Sequence, residues 1–431
     1  MSYSDNVLIV NARIVTEEGI IEQGALRIAK GTIQWFGSLE EFAALTAKSA
    51  PPQSGSPGGA SGTEAAASGS RPELPEQIID ARGGWLLPGF IDMHVHGGYG
   101  FDFMDATERA YDEITTFHGR HGTTAMLATT VTAPKNAIDK VLAAADAYRR
   151  GETPGARLIG VHLEGPFISA KWPGAQNPAH IVPPRLDWLK EWTAQYPGLV
   201  RQLTLAPETE GALEVIEWAS RQGIVCSCGH TDASYETVLE AVERGLRQAT
   251  HTFNAMKPLH HRAPGTVGAV LTEDRICAEV IADGHHVHPA CIRLLAQVKT
   301  GNNLILITDA ISAAGLGDGD YELGGLAVVV KDGVARLKEG DSLAGSTLTM
   351  IEAFRFAVNK IGLGVEHASR LASGNPARQL GIDSETGSIA VGKRADLLLT
   401  VPGNGFELER VWVAGNPIYT AAAARSGQNP A

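Results

Sequence analysis

From residue 89 onward, apolar runs of strand length alternate with stretches whose apolar residues recur at helical spacing. The runs are 89–96, 122–130, 157–165, 200–208, 224–231, 248–256, 276–284 and 303–310. Between two of them, 233–246 sets Val238, Leu239, Val242 and Leu246 on one helical face. Eight strands alternating with helices predict an α/β chain built on a (β/α)8 TIM-like barrel. Segments 7–16 and 24–37 mix β-branched residues with Gly and Asn turn signals, and 387–420 reads as strand again. These end segments are expected to pair into one small β-sandwich domain formed from both chain termini. The expected division is 1–88 with 385–431 for the small domain, and 89–384 for the barrel. Within the first part, 51–70 is rich in Gly, Ser, Ala and Pro and reads as a flexible insertion.

The same alternation sets polar, chemically capable residues at strand ends: His94, His96, Glu164, Glu208, His230, His251, Asp283 and Asp309. A barrel carries its active site at that end of its strands. His94 and His96 are two apart in a strand and share a side. Such a pair suits a metal, although a lone His-x-His is as often two satisfied polar residues. His162 and Glu164 alternate in the same way, and Glu164 is able to ligate or bridge ions. With His230 and His251 on neighbouring strands, the set of four histidines and one glutamate points to a metal site. Asp309 follows an apolar strand and, beside a metal, suits a general base and acid; helix capping or ligation are the alternatives. One imidazole of 285–286 is placed to polarise a carbonyl. His260, His261 and Arg262 form a basic cluster; arginine grips phosphate with a two-pronged fork, and a solvated loop is the plainer reading. Cys226 and Cys228 read as small core residues rather than a thiolate pair.

Composition narrows the partners. Among 431 residues, 36 Lys and Arg stand against 48 Asp and Glu, for a formal charge of −12. This argues against nucleic acid, whose phosphates need clustered positive charge. No apolar run reaches the roughly 20 residues of a membrane span. Four cysteines and no secretion-type leader point to the cytoplasm.

The segments PGFIDMHVHGG, GVHLEGPF, GHTDAS, THTFNAM, IADGHHV, ITDA and GSIAVGKRADLLL occur in this order. In them the chain resembles the amidohydrolase superfamily and, within it, the N-acetylglucosamine-6-phosphate deacetylases. The resemblance runs from about Val7 to Tyr419. It implies hydrolysis of the N-acetyl group of an amino-sugar phosphate, in amino-sugar catabolism and recycling of cell-wall sugars. By resemblance, Glu164, His230 and His251 ligate the main ion, and Asp309 is the catalytic aspartate. His286 matches the histidine that polarises the acetyl carbonyl. Arg262 and the backbone at Asn254 and Ala255 match phosphate-side positions, and His180 lies in a loop that contacts ligand in some members. That arginine can be supplied across a dimer interface in the family, which implies a homodimer. Some members replace the His-x-His by Gln and Asn and hold one ion. His94 and His96 therefore imply room for a second ion bridged by Glu164, with zinc first and iron or another divalent ion as options. Three other readings compete. One is a deacetylase of N-acetylgalactosamine 6-phosphate or of an unphosphorylated N-acetylhexosamine. Another is a different amidohydrolase such as a cyclic amidase, whose bridging lysine on the fourth barrel strand is missing here. The last is a non-catalytic sugar-phosphate-binding protein on the same scaffold.

Overall fold

In the computed structural model, which describes residues 6–48, 77–340 and 342–421, the eight apolar runs form eight parallel strands. They are β1 (Phe90–Asp92), β2 (Thr123–Thr130), β3 (Arg157–Glu164), β4 (Val200–Leu205), β5 (Val225–Cys228), β6 (Leu246–Ala249), β7 (Cys277–Ile281) and β8 (Leu304–Ile307). Each pairs with its neighbour in chain order, and a parallel bridge between Val95 and Ala310 brings the last strand back to the first. Every residue of β2 is buried. Parallel strands covered on both faces need such continuous burial, which is why they read as apolar runs rather than as alternation. The low-complexity stretch 51–70 lies outside the described residues.

Helices fill the intervals. Tyr235–Glu243 occupies the middle of the periodic stretch 233–246, with Val238, Ala241 and Val242 buried. It starts at Ser234, whose side chain accepts the Thr237 N–H at 3.2 Å. This satisfies one of the amides that every helix start leaves open. No helix among the described residues is long and apolar enough to cross a membrane.

Both ends of the chain enter one eight-stranded sheet. Trp85–Pro88 lies antiparallel to Leu397–Thr400, with Leu86 opposite Leu399. Ile9, Ile14, Leu26, Ile28, Leu397 and Trp412 belong to its core. The segment 24–37 is not continuous: it turns at Lys30 and Gly31, both at positive φ, between strands Ile20–Ala29 and Thr32–Ser38. A three-stranded antiparallel sheet after β8, Gly319–Leu323, Leu326–Lys331 and Val334–Leu337, is absent from the sequence expectations. It packs Leu323 and Val328 against Val131 and Ile311 beside the strand ends.

The seam between β8 and β1 is hydrogen-bonded rather than merely packed. Asp309 N–H donates to the His94 carbonyl and His96 N–H to that of Ala310, each at 2.8 Å. The Thr308 hydroxyl donates to Asp92 Oδ2 at 2.6 Å. Burial pushes the Asp92 carboxyl up to about 7, against the bonds from Thr308 and the His94 amide.

Candidate active site

The strands stop where the chemistry begins. β6 ends at Ala249, so the rest of the run 248–256 is turn, and His251 lies two residues beyond the strand. His230 and Asp309 likewise sit two residues beyond β5 and β8. All three have left-handed backbones, φ 48° for His230, 31° for His251 and 51° for Asp309. Non-glycine residues hold such angles only where the surroundings over-determine them. Here Ser169 N–H binds the His230 carbonyl at 2.8 Å, and Ser346 N–H that of Asp309 at 2.7 Å. Gly174, at φ 56°, lets its loop lie on His230; a Cβ there would come within 3.1 Å of the ring.

Two groups of buried ligand atoms result, one from Glu164, His230 and His251 and one from His94, His96 and Asp309. His230 Nδ1–H faces the Trp172 carbonyl at 3.0 Å. A neutral ring donating there presents a bare Nε2. That Nε2 lies 3.1 Å from Nε2 of His251, and both lie 3.2 Å from Glu164 Oε1. Lone pairs crowded in this way are satisfied by a proton or a cation between them. Ligands about 2.0–2.1 Å from a tetrahedral ion stand about 3.3 Å apart, so the spacing fits. In the second group, His96 Nε2 is 3.2 Å from both Glu164 Oε2 and Asp309 Oδ1. His94 Nε2, buried and without a hydrogen bond, is 3.4 Å from Glu164 Oε1 and Asp309 Oδ1. Glu164 therefore reaches both groups with its two oxygens.

The electrostatics agree. Burial alone would strip protons from His94 and His96, but Glu164 and Asp309 outweigh it, and His96 is pushed up to about 9. Glu164 moves the other way. Burial raises it, yet His94, His230 and His251 hold it well below the usual carboxylate range. A site with these leanings holds positive charge tightly.

A cavity of about 380 Å³ opens over both groups, within the range of small-molecule sites. Asp309, His286, Asn254 and Ala255 line it. His286 Nδ1–H donates to Asp283 Oδ2 at 2.6 Å, which fixes the ring. Burial works to raise Asp283, but His286 and the amides of His285 and His286 hold it down. Two sequence candidates are not brought in. Arg262 is exposed, with its guanidinium 2.7 Å from His261 Nε2, and neither it nor His180 lines the cavity of the single chain.

His162 joins neither group. It packs edge-on against His94 and lies 2.8 Å from Thr204 Oγ1, with burial and His94 holding its pKa well down. Glu208 turns away to accept from Thr231 Oγ1 and the Asp232 amide. The Cys226 and Cys228 thiols are buried and pushed up to about 12, as core residues are. Lys171, Trp172 and Leu323 line the cavity without having been anticipated. Gln176 was also missed: its amide donates to Glu164 Oε2 at 2.6 Å while its oxygen takes the Thr132 N–H. Its only sequence signal is its place in the loop that also carries His180.

The model of the amidohydrolase family matches residues 85–418. N-acetylglucosamine-6-phosphate deacetylase of Bacillus subtilis (strain 168) is 39% identical over 401 residues, 92% of this chain and 93% of that protein. N-acetylgalactosamine-6-phosphate deacetylase of Escherichia coli O157:H7 is 36% identical over 404 residues, 94% of this chain and 97% of that one. Among solved structures, a mutant N-acetyl-D-glucosamine-6-phosphate deacetylase of Mycobacterium smegmatis, in complex with N-acetyl-D-glucosamine-6-phosphate, has a TM-score of 0.83. It is 32% identical, and the match covers 96% of this chain and 100% of that one.

Proposed function

The chain belongs to the amidohydrolase family, and we propose that it hydrolyses N-acetylglucosamine 6-phosphate to glucosamine 6-phosphate and acetate. The observation that carries this is the convergence of two buried ligand groups on the shared carboxylate of Glu164, beneath a cavity that also holds Asp309 and His286. Glu164, His230 and His251 would hold one divalent ion, and His94 and His96 with Glu164 a second. Zinc suits this mixed nitrogen and oxygen set, with iron the next choice. When bound, such an ion supplies Lewis acidity and brings the pKa of a water down toward about 7.

The chain's own residues do the rest. Asp309 accepts a proton from the attacking water and returns it to the sugar nitrogen, so the amine leaves neutral. His286, its Nδ1–H held by Asp283, donates from Nε2 to the acetyl oxygen as negative charge grows there, with both ring nitrogens carrying a proton. Asn254 and Ala255 offer main-chain contacts on the phosphate side. Arg262, exposed in its own chain, would reach a partner's cavity in a homodimer, and His180 would meet the ligand through the same loop as Gln176. The terminal strands, with their separate core, are read as the small sandwich domain, joined to the barrel between residues 88 and 89 and again near 385. A cytoplasmic site of action belongs to the same proposal and draws on the four free cysteines.

A second reading has a specific basis: the relative named for N-acetylgalactosamine 6-phosphate spans 94% of the chain. Metal analysis of the purified protein, with acetate release from both 6-phosphate epimers and from free N-acetylglucosamine, separates the readings. We expect metal, and the fastest release from the glucosamine epimer. No metal and no acetate would remove the reading, and faster turnover of the galacto epimer would replace it.

A further inference from the structure

Behind His94 lies a carboxylate that the reaction above does not use. Glu279, in the middle of β7, is fully buried. Its Oε2 accepts His94 Nδ1–H at 3.2 Å and the His251 backbone N–H at 3.3 Å. Its Oε1 accepts the side-chain amides of Gln202, at 2.7 Å, and of Gln248. Among the described residues no Lys or Arg pairs with it, and His94 is its ion-pair partner. Barrel interiors are ordinarily filled by branched apolar side chains. A charged group there, with donors gathered from β4, β6 and the end of β1, opposes that rule and calls for a compensating cation.

We infer that Glu279 is the positioning residue for the second ion: it fixes His94 as the Nδ1–H tautomer, so that the bare Nε2 points between Glu164 and Asp309. The inference rests on the two-ion reading above. A histidine bonded through its far nitrogen to a carboxylate is held in orientation and is a more basic ligand. The unpartnered state of the buried His94 Nε2 agrees with this. Charge agrees too. Glu164, Asp309 and Glu279 are three buried carboxylates that pair with no Lys or Arg among the described residues, and such a set favours bound cations. Because Glu279 touches His94 through its side chain and His251 only through its backbone, its loss falls first on the His94 side.

The test is cobalt binding, not turnover. Wild-type and Glu279→Gln protein, stripped by chelator, are titrated with Co2+ while ions per chain are counted by dialysis and the visible spectrum is followed. Wild type is expected to take two ions. Glu279→Gln is expected to keep the first and to bind the second about 10–100-fold more weakly, with loss of that ion's absorption bands. Two ions bound with wild-type affinity and spectrum would overturn the inference. If Glu279→Gln does not fold, Glu279→Asp keeps the charge but shortens the reach. A smaller loss of second-ion affinity is then expected, and an unchanged affinity overturns the inference equally. Should wild type itself take one ion only, the two-ion reading falls and this inference falls with it.

Discussion

At the scale of single residues, Asp309 makes the sharpest claim. Its Oδ1 stands 3.2 Å from His96 Nε2 and 3.4 Å from His94 Nε2, so it is both a neighbour of the ligands and a candidate proton carrier. Asp309→Asn keeps the shape and removes the basic oxygen. It is expected to retain the ion at Glu164, His230 and His251, while kcat falls about 10²–10⁴-fold, the usual worth of general acid–base catalysis. Activity within a few-fold of wild type would move the base elsewhere. Residues of this kind were legible in the sequence because each follows an apolar run directly, and a barrel brings all such positions to one mouth. Glu279 and Gln176 were not. Glu279 sits inside an apolar run, where one acidic letter carries no sign of the three strands that converge on it. Gln176 acts from a loop whose path over Glu164 no periodicity encodes.

At the scale of elements, the run lengths announced the barrel strands, but their ends came out shorter. Left-handed residues such as His230 and His251 stop the ladder in short polar stretches that the runs had included. The sheet at 319–337 escaped notice because its strands are short, partly exposed and lie among glycines. The β8–β1 seam yields two tests. Thr308→Val removes a donor from buried Asp92 and is expected to cost about 1–3 kcal/mol in urea unfolding; no loss would mean the seam is held by packing alone. The other concerns His118, on helix Glu108–Arg120, whose Nε2–H donates to the Gly97 carbonyl at 2.9 Å just after His96. Burial lowers this imidazole from 6.5 to about 4, with His121 adding to the fall and the Gly97 bond opposing it. Between those values the unfolded chain binds a proton that the native ring refuses, so His118 withdraws stability as pH falls from 6.5 to 4. Asp92 has the opposite sign: raised to about 7, it keeps its proton where the unfolded carboxyl has lost it, and so adds stability as pH falls from 7 toward 4. The two slopes oppose each other in the wild type, so only a difference exposes either. His118→Gln, which keeps a donor but does not titrate, is expected to gain on wild type by up to about 3 kcal/mol between pH 7 and pH 4. Parallel curves would show that the ring does titrate in the native state.

At the scale of the whole molecule, the −12 charge argued against nucleic acid, yet the proposed substrate carries a phosphate of its own. The conflict is settled locally, and the single chain leaves its candidate arginine exposed and outside its own cavity. No pattern in one sequence encodes what a second copy contributes, so this part of the site came from resemblance alone. A subunit-mixing experiment decides it. Arg262→Ala and Asp309→Asn should each be poorly active alone at low substrate, the first through binding and the second through chemistry. In a mixed dimer with the arginine acting across the interface, the cavity of the Arg262→Ala chain has its own Asp309 and borrows Arg262 from its partner. The other cavity has both defects. Random assortment makes half the dimers mixed, each with one intact site, so activity should return to about a quarter of wild type. If Arg262 serves its own chain instead, no combination assembles an intact site. Mixing then gives only the average of the two parents, and the partner's arginine has no part in the reaction.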